Sequence, residues 1–549
     1  MEERAKAGVR HQPEQHSAAP PCEASCPGGA DVRGWIGMIA QRRMLGLSDH
    51  EAYGLAWNAI VDVNPFPAVM GRVCPHPCES GCNRIGKDEA VSVNQMERFL
   101  GDWALRAGLP LERLESDRKP ESIGVIGSGP AGLSFAYQMA RRGYPVVVYE
   151  RNPKAGGMLR YGIPAYRLPE AVLDAEIQRI LDLGVELKLE SRIGRDVGLE
   201  QLESRHAMVF LGIGAQHGRM LDVPGETGPG CWSGTDYLRS VNQGDRLALG
   251  SRVAVIGGGN TAVDAAREAR RGGAEVTLLY RRTRAEMPAI PSEIDEAIEE
   301  GVRIWYLVAP TEIIRDGERL ESLVLTRMTL GEADDSGRRR AVPTAGSEFR
   351  LAVDSLIVAV SQVTDWSGLE TYRFDEEASP APRIGKSEAH VWAGGDVIGL
   401  GVASTAIGAG RKAAESMHAR LRGLPDPLHS EVDPIAIGPV KLDYHPERPR
   451  AVPLARPVSE WLQDPEAEIH LGITEEQFLE EVSRCLSCGQ CFGCEQCWMY
   501  CPHTCFTRLE DVQPGMYYAL TLDQCQSCGK CIDICPCGFL QARSPDASE

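Results

Sequence analysis

The chain has 549 residues, 43% of them hydrophobic, with a formal net charge of −19 and 18 cysteines. That length predicts about three to four domains, each able to build a core without disulfide staples. The acidic balance repels nucleic acid and anionic lipid, and no run approaches the roughly 20 apolar residues of a membrane span, so neither is expected as a partner.

The cysteines are unevenly spread. Five lie between Cys22 and Cys82, Cys231 stands alone, and twelve lie between Cys485 and Cys537. Disulfide frameworks belong mainly to small secreted domains, whereas tight C-x-x-C spacings in an intracellular chain signal metal or redox chemistry. The polar stretch Met1–Pro20 lacks the apolar centre of a signal peptide, and the compartment is read as cytoplasmic and reducing.

In chain order, residues 1–118 read as a helical domain, with helices over Asp49–Val61 and Ser92–Arg106 and a Cys/Pro/Gly segment at Val73–Cys82. There Cys74-x3-Cys78-x3-Cys82 offers three thiolates, and Cys22-x3-Cys26-Pro can add a fourth. Four soft thiolates complete an iron–sulfur cubane, and equally a closed zinc site.

From residue 121 the pattern turns to β-α alternation. The strand Ser122–Ile126 runs into Gly127-Ser-Gly129-Pro130-Ala131-Gly132, which opens a helix. The first glycine makes the tight turn, the second admits a pyrophosphate to the backbone, and the third lets helix and strand pack closely. The helix start offers free N–H groups and a positive dipole end to the phosphates. The next strand, Pro145–Tyr149, ends at Glu150-Arg151, and a carboxylate 23 residues after Gly127 can accept from ribose hydroxyls.

The same series recurs. Arg252–Ile256 leads into Gly257-Gly-Gly259-Asn260-Thr261-Ala262, and the following strand, Glu275–Tyr280, ends in Arg281-Arg282 instead of an acid. Guanidinium groups there suit the 2′-phosphate of NADP, or pair with Glu286 or Glu293. Two such units predict a doubly wound α/β architecture, with residues 119–235 and 346–422 forming one nucleotide domain and 236–345 a second. Nine prolines between Pro425 and Pro465 mark 423–473 as an extended linker, and Thr474–Arg484 reads as a helix entering the last domain, 474–549.

In that domain Cys491-x2-Cys494-x2-Cys497-x3-Cys501-Pro and Cys525-x2-Cys528-x2-Cys531-x3-Cys535-Pro both match the bacterial ferredoxin run. In such runs the fourth cysteine binds the other cluster. One cluster is therefore assigned to Cys491, Cys494, Cys497 and Cys535, the other to Cys525, Cys528, Cys531 and Cys501. Cys485, Cys488, Cys505 and Cys537 are left over; the first pair extends the ladder and could displace an assigned ligand, though such thiols are more often buried or unpaired, and Cys231 reads as a small core residue.

Gly127–Gly132, Glu150, Gly156–Pro164, Gly257–Ala262, Tyr280–Arg282 with Glu286-Met-Pro288, and Trp392-Ala-Gly-Gly395-Asp396 together resemble the small (β) subunit of glutamate synthase. The same module forms the NADPH-oxidising half of dihydropyrimidine dehydrogenase. The resemblance covers about residues 20–420. It implies FAD at the first site, with Gly157, Met158, Leu159 and Ile163 beside it, and NAD(P)H at the second, where Arg281 and Arg282 slightly favour NADPH. It also implies Asp396 at the ribityl chain and Ser404, Thr405 and Ala406 facing the flavin or its phosphate, although an acid in a Gly-Gly-Asp turn is equally an ordinary helix cap. For the amino-terminal thiolates it implies iron, with Cys26, Cys74, Cys78 and Cys82 as ligands.

The chain departs from the family where relatives carry two amino-terminal clusters. Only Cys22 and Cys26 remain of the C-x2-C-x4-C-x3-C-P run that the first requires. One amino-terminal cluster is expected, three in all, with Cys22 free; Glu97 lies near where the resemblance implies a non-cysteine ligand, but is read as a helix-surface residue.

Nicotinamide exchanges electron pairs and clusters single electrons, and flavin converts between them. The expected function is an NAD(P)H:acceptor oxidoreductase feeding a partner redox enzyme or ferredoxin through the tail. No side chain is required as acid, base or nucleophile, although Glu286, Asp264 and Asn260 can line the nicotinamide pocket. Relatives with such tails resemble electron-input subunits of 2-oxoacid:acceptor oxidoreductases and the partner of dissimilatory sulfite reductase. The alternatives are a glutamate synthase small subunit, a self-contained reductase, and a non-enzymatic module stabilised by clusters; a homodimer is allowed.

Overall fold

The computed structural model describes residues 11–245, 247–334, 337–373, 383–384, 391–427 and 434–543. The chain divides into two compact units. One comprises residues 1–111, 415–454 and 472–549, the other 112–414 and 455–471.

The second unit holds both nucleotide folds. Ile123–Ile126 lies in a sheet with Val146–Tyr149 and Glu186–Lys188 on one side and Met208–Leu211 and Val391–Ala393 on the other, all parallel, with Arg383–Ile384 antiparallel at the edge. The expected strand Ala389–Ala393 is described from Val391 onward; Ala389 lies outside the described residues. A five-stranded parallel sheet takes Arg252–Ile256 between Glu275–Tyr280 and Ser355–Val358, with Arg303–Tyr306 and Cys231–Ser233 at its edges. It draws strands from both sides of the expected 236–345 span, because Cys231–Ser233 and Ser355–Val358 also pair into it.

An antiparallel sheet of Val308–Asp316, Arg319–Ala333, Arg339–Pro343 and Phe349–Ala352 follows the last crossover. The sequence reading missed it. Its long strand alternates in burial over Arg319–Ser322 and again over Thr326–Thr329, the half-buried pattern of a sheet with one wet face, with a mostly buried run between.

The proline-rich stretch is not a free connector. Leu454–Ala455 pairs with His470–Gly472, and between them Trp461 packs with Tyr166 and Ile469. Arg271 donates to Trp461 O at 3.2 Å, and Glu296 bonds His470 Nε2 at 2.8 Å.

The first unit joins the two ends of the chain. Asp49–Val61 forms the expected helix, with a Ser48/Glu51 capping box, and Val93–Arg106 forms the second. Glu475–Val482 packs its Phe478 and Val482 into the same core as Trp35, Ile39 and Tyr53. Pro13–Gln15 pairs antiparallel with Leu540–Ala542. The expected domains 1–118 and 474–549 thus share one unit.

A buried ionic network seals this junction. Arg84 donates to Arg484 O at 2.7 Å, to both Asp88 oxygens at 2.8 and 2.6 Å, and to Pro446 O at 2.8 Å. Arg484 reaches Asp88 at 3.0 Å, Glu89 O at 2.7 Å and Glu481. The Arg84 guanidinium holds the Asp88 carboxyl well below the usual carboxylate range. Removing one partner strands the others in a dry interior, at a cost of about 3–5 kcal/mol. Arg84→Met should therefore lower the thermal midpoint by roughly 6–20 °C, measured by circular dichroism, while the same change at exposed Arg43 leaves it in place.

Candidate functional site

The first glycine loop is built as the pyrophosphate reading requires. Gly127 has φ +97, and Gly132 approaches so closely that a Cβ on it would stand 2.0 Å from Gly127 O. Gly129 starts the helix Pro130–Arg141 as its N-cap, with no side chain bonding to the cap, so the helix's first N–H groups are open to a phosphate. Facing it, Gly157 has φ +54, and a Cβ there would sit 2.6 Å from Gly129 Cα. A Cβ on Gly395, φ +78, would lie 2.8 Å from Ala131 Cβ. These bare backbones leave a cradle that any side chain would fill.

Glu150 is buried at the end of its strand. One oxygen accepts from Ser128 N (3.0 Å) and Oγ (2.5 Å), the other from Asn152 N (2.8 Å) and Nδ2 (2.7 Å). All four acceptor positions are engaged, so the carboxylate clamps the glycine loop to its neighbouring turn, and ribose hydroxyls would have to share it. Beside it opens a cleft of about 520 Å3, lined by Glu150, Arg151, Ile193, Gln216 and Asp365. Arg151 donates to Asp365 at 2.9 Å and to Gln216 at 2.8 Å. Leu159 is buried, Met158 and Ile163 are half-buried, and Ile163 O accepts from Asn242 at 3.1 Å. Asp396 accepts from Gly401 N at 3.1 Å, two residues ahead of the helix Ala403–Arg422, and burial raises its carboxyl. Ser404 and Ala406 are buried on that helix, and Thr405 is exposed.

At the second loop Gly257 has φ +145, and a Cβ on Gly258 would enter the Tyr280 ring at 2.4 Å. Gly259 is the N-cap of Asn260–Arg271, with Thr261 half-buried in its first turn. Asn260 accepts from Ile290 N at 3.0 Å.

The two arginines part company. Arg282 is buried and donates to Asp334 at 2.7 Å and to Arg339 O at 2.6 Å, so its partner is neither Glu286 nor Glu293. Arg281 is exposed at the strand end, and among the described residues no ion pair engages it. Glu286 caps the turn at Thr283 and takes Arg339 at 2.9 and 3.0 Å; these bonds, Thr283 first, lower its pKa. Asp264 is buried against Arg167, 2.8 Å to each oxygen, and burial pushes its carboxyl up to about 6 against the pull of that arginine. Glu286 and Asp264 are therefore committed to internal partners.

The cysteines gather in four groups. Burial, then the charges of Cys494 and Cys535, push Cys491 up to about 12, and Cys497 faces the same three thiols. These four line a pocket with Phe492, Cys537 and Phe539. Cys531 is pushed up to about 11 by burial and by Cys501, Cys528 and Cys525. Both sets follow the crossed pattern of the two runs. The leftover thiols sit beside them: Cys505 against Cys501 and Cys525, and Cys537 3.8 Å from Cys535, which its hydrogen bond lowers to about 6.

At the amino terminus the expected set divides. Cys78 is surrounded by Cys26, Glu97 and Cys74, whereas Cys82 faces Cys22, Cys485 and Cys488. Glu97, expected on the surface, turns inward; burial pushes it up to about 7 while Asn64 donates to it at 2.8 Å. The family resemblance places Glu97 near a non-cysteine ligand position, whereas nothing in the spacing signals that Cys82 faces Cys485 and Cys488.

Among the described residues no three His, Cys, Asp or Glu side chains converge tightly enough to hold a single ion. Zinc needs all its sulfurs about 2.3 Å from one centre. A cubane spreads them, since each corner iron takes its own thiolate. The donor sets fit cubanes.

Comparison with known proteins agrees. A model for pyridine nucleotide-disulphide oxidoreductases matches residues 121–413, more than half of the chain, and one for the 4Fe-4S cluster domain II of dihydropyrimidine dehydrogenase matches 15–109. The chain belongs to the pyridine nucleotide-disulphide oxidoreductase family. It is an NAD(P)H-dependent FAD and iron–sulfur oxidoreductase. The small chain of Escherichia coli NADPH glutamate synthase is 32% identical over 72% of this chain and 88% of its own length. The β subunit of an NADP-dependent formate dehydrogenase from Moorella thermoacetica is 35% identical over 88% and 72%. The β subunit of a Geobacter sulfurreducens NADPH-Fe(3+) oxidoreductase is 40% identical over 63%, a span that covers about half (51%) of that subunit. No helix among the described residues is long and apolar enough to cross a membrane.

Gly157→Ala should release FAD on gel filtration, read as a loss of flavin absorbance per chain, because its Cβ meets Gly129. Gly244→Ala, also at positive φ (+87) but with nothing within 4 Å, should keep its flavin.

Proposed function

We propose that the protein oxidises NADPH and delivers electrons singly, through its ferredoxin-like module, to a larger redox partner in the cytoplasm. The observation that carries this reading is the cysteine distribution. Between Cys82 and Cys485 the sequence holds only Cys231, so the nucleotide unit has no thiol pair of its own to reduce, while the tail supplies two complete four-cysteine groups. Bound flavin exchanges hydride with nicotinamide and single electrons with cubanes, which is the conversion these parts require.

The chain's own residues position the exchange. Gly127, Gly129 and Gly132 keep the backbone bare so that the helix start can meet the pyrophosphate, and Glu150 holds that loop in shape. Gly257 and Gly259 do the same for the dinucleotide, and Arg281 meets its 2′-phosphate. Cys26, Cys74 and Cys78, with Glu97 in the fourth place, would hold one cluster; Cys491, Cys494, Cys497 and Cys535 a second; and Cys525, Cys528, Cys531 and Cys501 a third.

Several relatives are named as subunits of larger enzymes, which supports a protein partner. Dissimilatory sulfite reductase and a 2-oxoacid:acceptor oxidoreductase are the partner classes that the ferredoxin tail suggests. A second reading, a glutamate synthase small subunit, is favoured by the 88% coverage of that chain; the tail, which that module does not need, weighs against it.

Anaerobic NADPH should bleach the flavin absorbance and then reduce a viologen dye. No bleaching would favour a module whose clusters serve only to hold folds together. Arg281→Ala should raise Kd for NADPH about 10- to 100-fold and leave NADH unchanged, since a hydrogen bond to a charged group contributes about 1.5–3 kcal/mol. Arg282→Ala should instead lower the thermal midpoint. Equal losses for both nucleotides at Arg281 would refute the phosphate assignment.

A further inference from the structure

Two fragments of the cysteine pattern remain incomplete: Cys22 with Cys82 near one end of the chain, and Cys485-x2-Cys488 near the other. Neither can close a cubane alone. We propose that these four thiolates together hold a further 4Fe-4S cluster, ligated from both ends of the chain and linking the amino-terminal cluster site to the ferredoxin-like clusters. This rests on the iron–sulfur reading above and adds a site to it.

The structure brings the four within reach of one another's charge, three of them on one apolar core. Cys22 feels the charges of Cys485, Cys82 and Cys488, and Cys485 those of Cys488 and Cys82. Cys22, Cys82 and Cys485 pack on one apolar core with Trp35, Ile39 and Phe478. The two chain segments are locked by hydrogen bonds at the site itself. Arg33 donates to both Ala18 O (2.5 Å) and Cys488 O (2.7 Å), Ala18 N to Gly489 O at 3.3 Å, and Arg84 to Arg484 O at 2.7 Å.

Burial and the neighbouring thiols raise these groups, and two local features act the other way. Asn83 Nδ2 donates to Cys488 Sγ at 3.6 Å, and the buried Arg33 cation acts on both Cys485 and Cys488. Donors and a positive charge favour the deprotonated sulfur that iron binds.

Chain spacing gives the site its place. Cys488 and Cys491 are three residues apart, so their Cα atoms lie within about 11 Å even in an extended chain, yet they serve different groups. Cys22 and Cys26, and Cys78 and Cys82, likewise step from this group to its amino-terminal neighbour. The proposed cluster is thus tethered to both sides by its own ligands, and passes one electron from a reduced cubane to an oxidised one with no bond made or broken.

Native mass spectrometry of the intact chain, purified without oxygen, should show four cubanes, and iron analysis about sixteen atoms per chain. Cys22→Ala and Cys485→Ala should each fall to three cubanes and about twelve irons, and both should lose the same electron paramagnetic resonance signal after dithionite. Cys505→Ala should keep all four. Three cubanes in the unaltered chain, or four retained by Cys485→Ala, would overturn the proposal, as would the loss of different signals by the two variants. The unaltered chain decides between three and four even if a variant fails to accumulate. Flavin bleaching by NADPH reads the nucleotide unit separately, so this proposal can fail while the oxidoreductase reading survives.

Discussion

The pairing of Pro13–Gln15 with Leu540–Ala542 is the constraint on which the cysteine-bearing unit depends. It delivers the segment carrying Cys22 to the segment carrying Cys485, more than four hundred residues away in sequence. Backbone bonds continue the seam, from His16 N to Phe539 O at 2.9 Å and from Arg543 N to Gln12 O at 2.8 Å. Closing so long a loop has an entropic cost that grows only slowly with length. The ionic network of Arg84, Asp88, Arg484 and Glu481 then fills the seam with charges that none of them can leave unpaired.

The thiol groups share one physical problem. Burial pushes nearly every one of them toward the neutral form, and neighbouring thiols push further. Gathering four thiolates in such a place is unfavourable unless a cation offsets their charge. Metal loading is therefore coupled to the final packing of this unit, and the apolar contacts of Trp35, Tyr53 and Phe478 supply the shape in which it happens.

The nucleotide unit solves a different problem, that of keeping space empty. Gly129 and Gly157 face each other with no side chain between them, and Gly258 yields to the Tyr280 ring. Charges nearby are consumed internally: Glu150 by its loop, Asp264 by Arg167, Glu286 by Thr283 and Arg339. Arg281 is the exception, an exposed cation at the end of the strand where a dinucleotide phosphate is expected.

Sequence by itself determined the local grammar. The strands Arg252–Ile256 and Glu275–Tyr280, the helix Asp49–Val61 and both glycine loops were all legible, because each rests on residues close together in the chain. The antiparallel sheet of 308–352 was legible only in its alternation and was missed. Tertiary structure alone decided which arginine is free, that Glu97 turns inward, that the proline-rich stretch docks, and that Cys82 leaves its run to meet Cys485 and Cys488. Those outcomes depend on which distant segments pack together, and spacing along a chain carries no information about that.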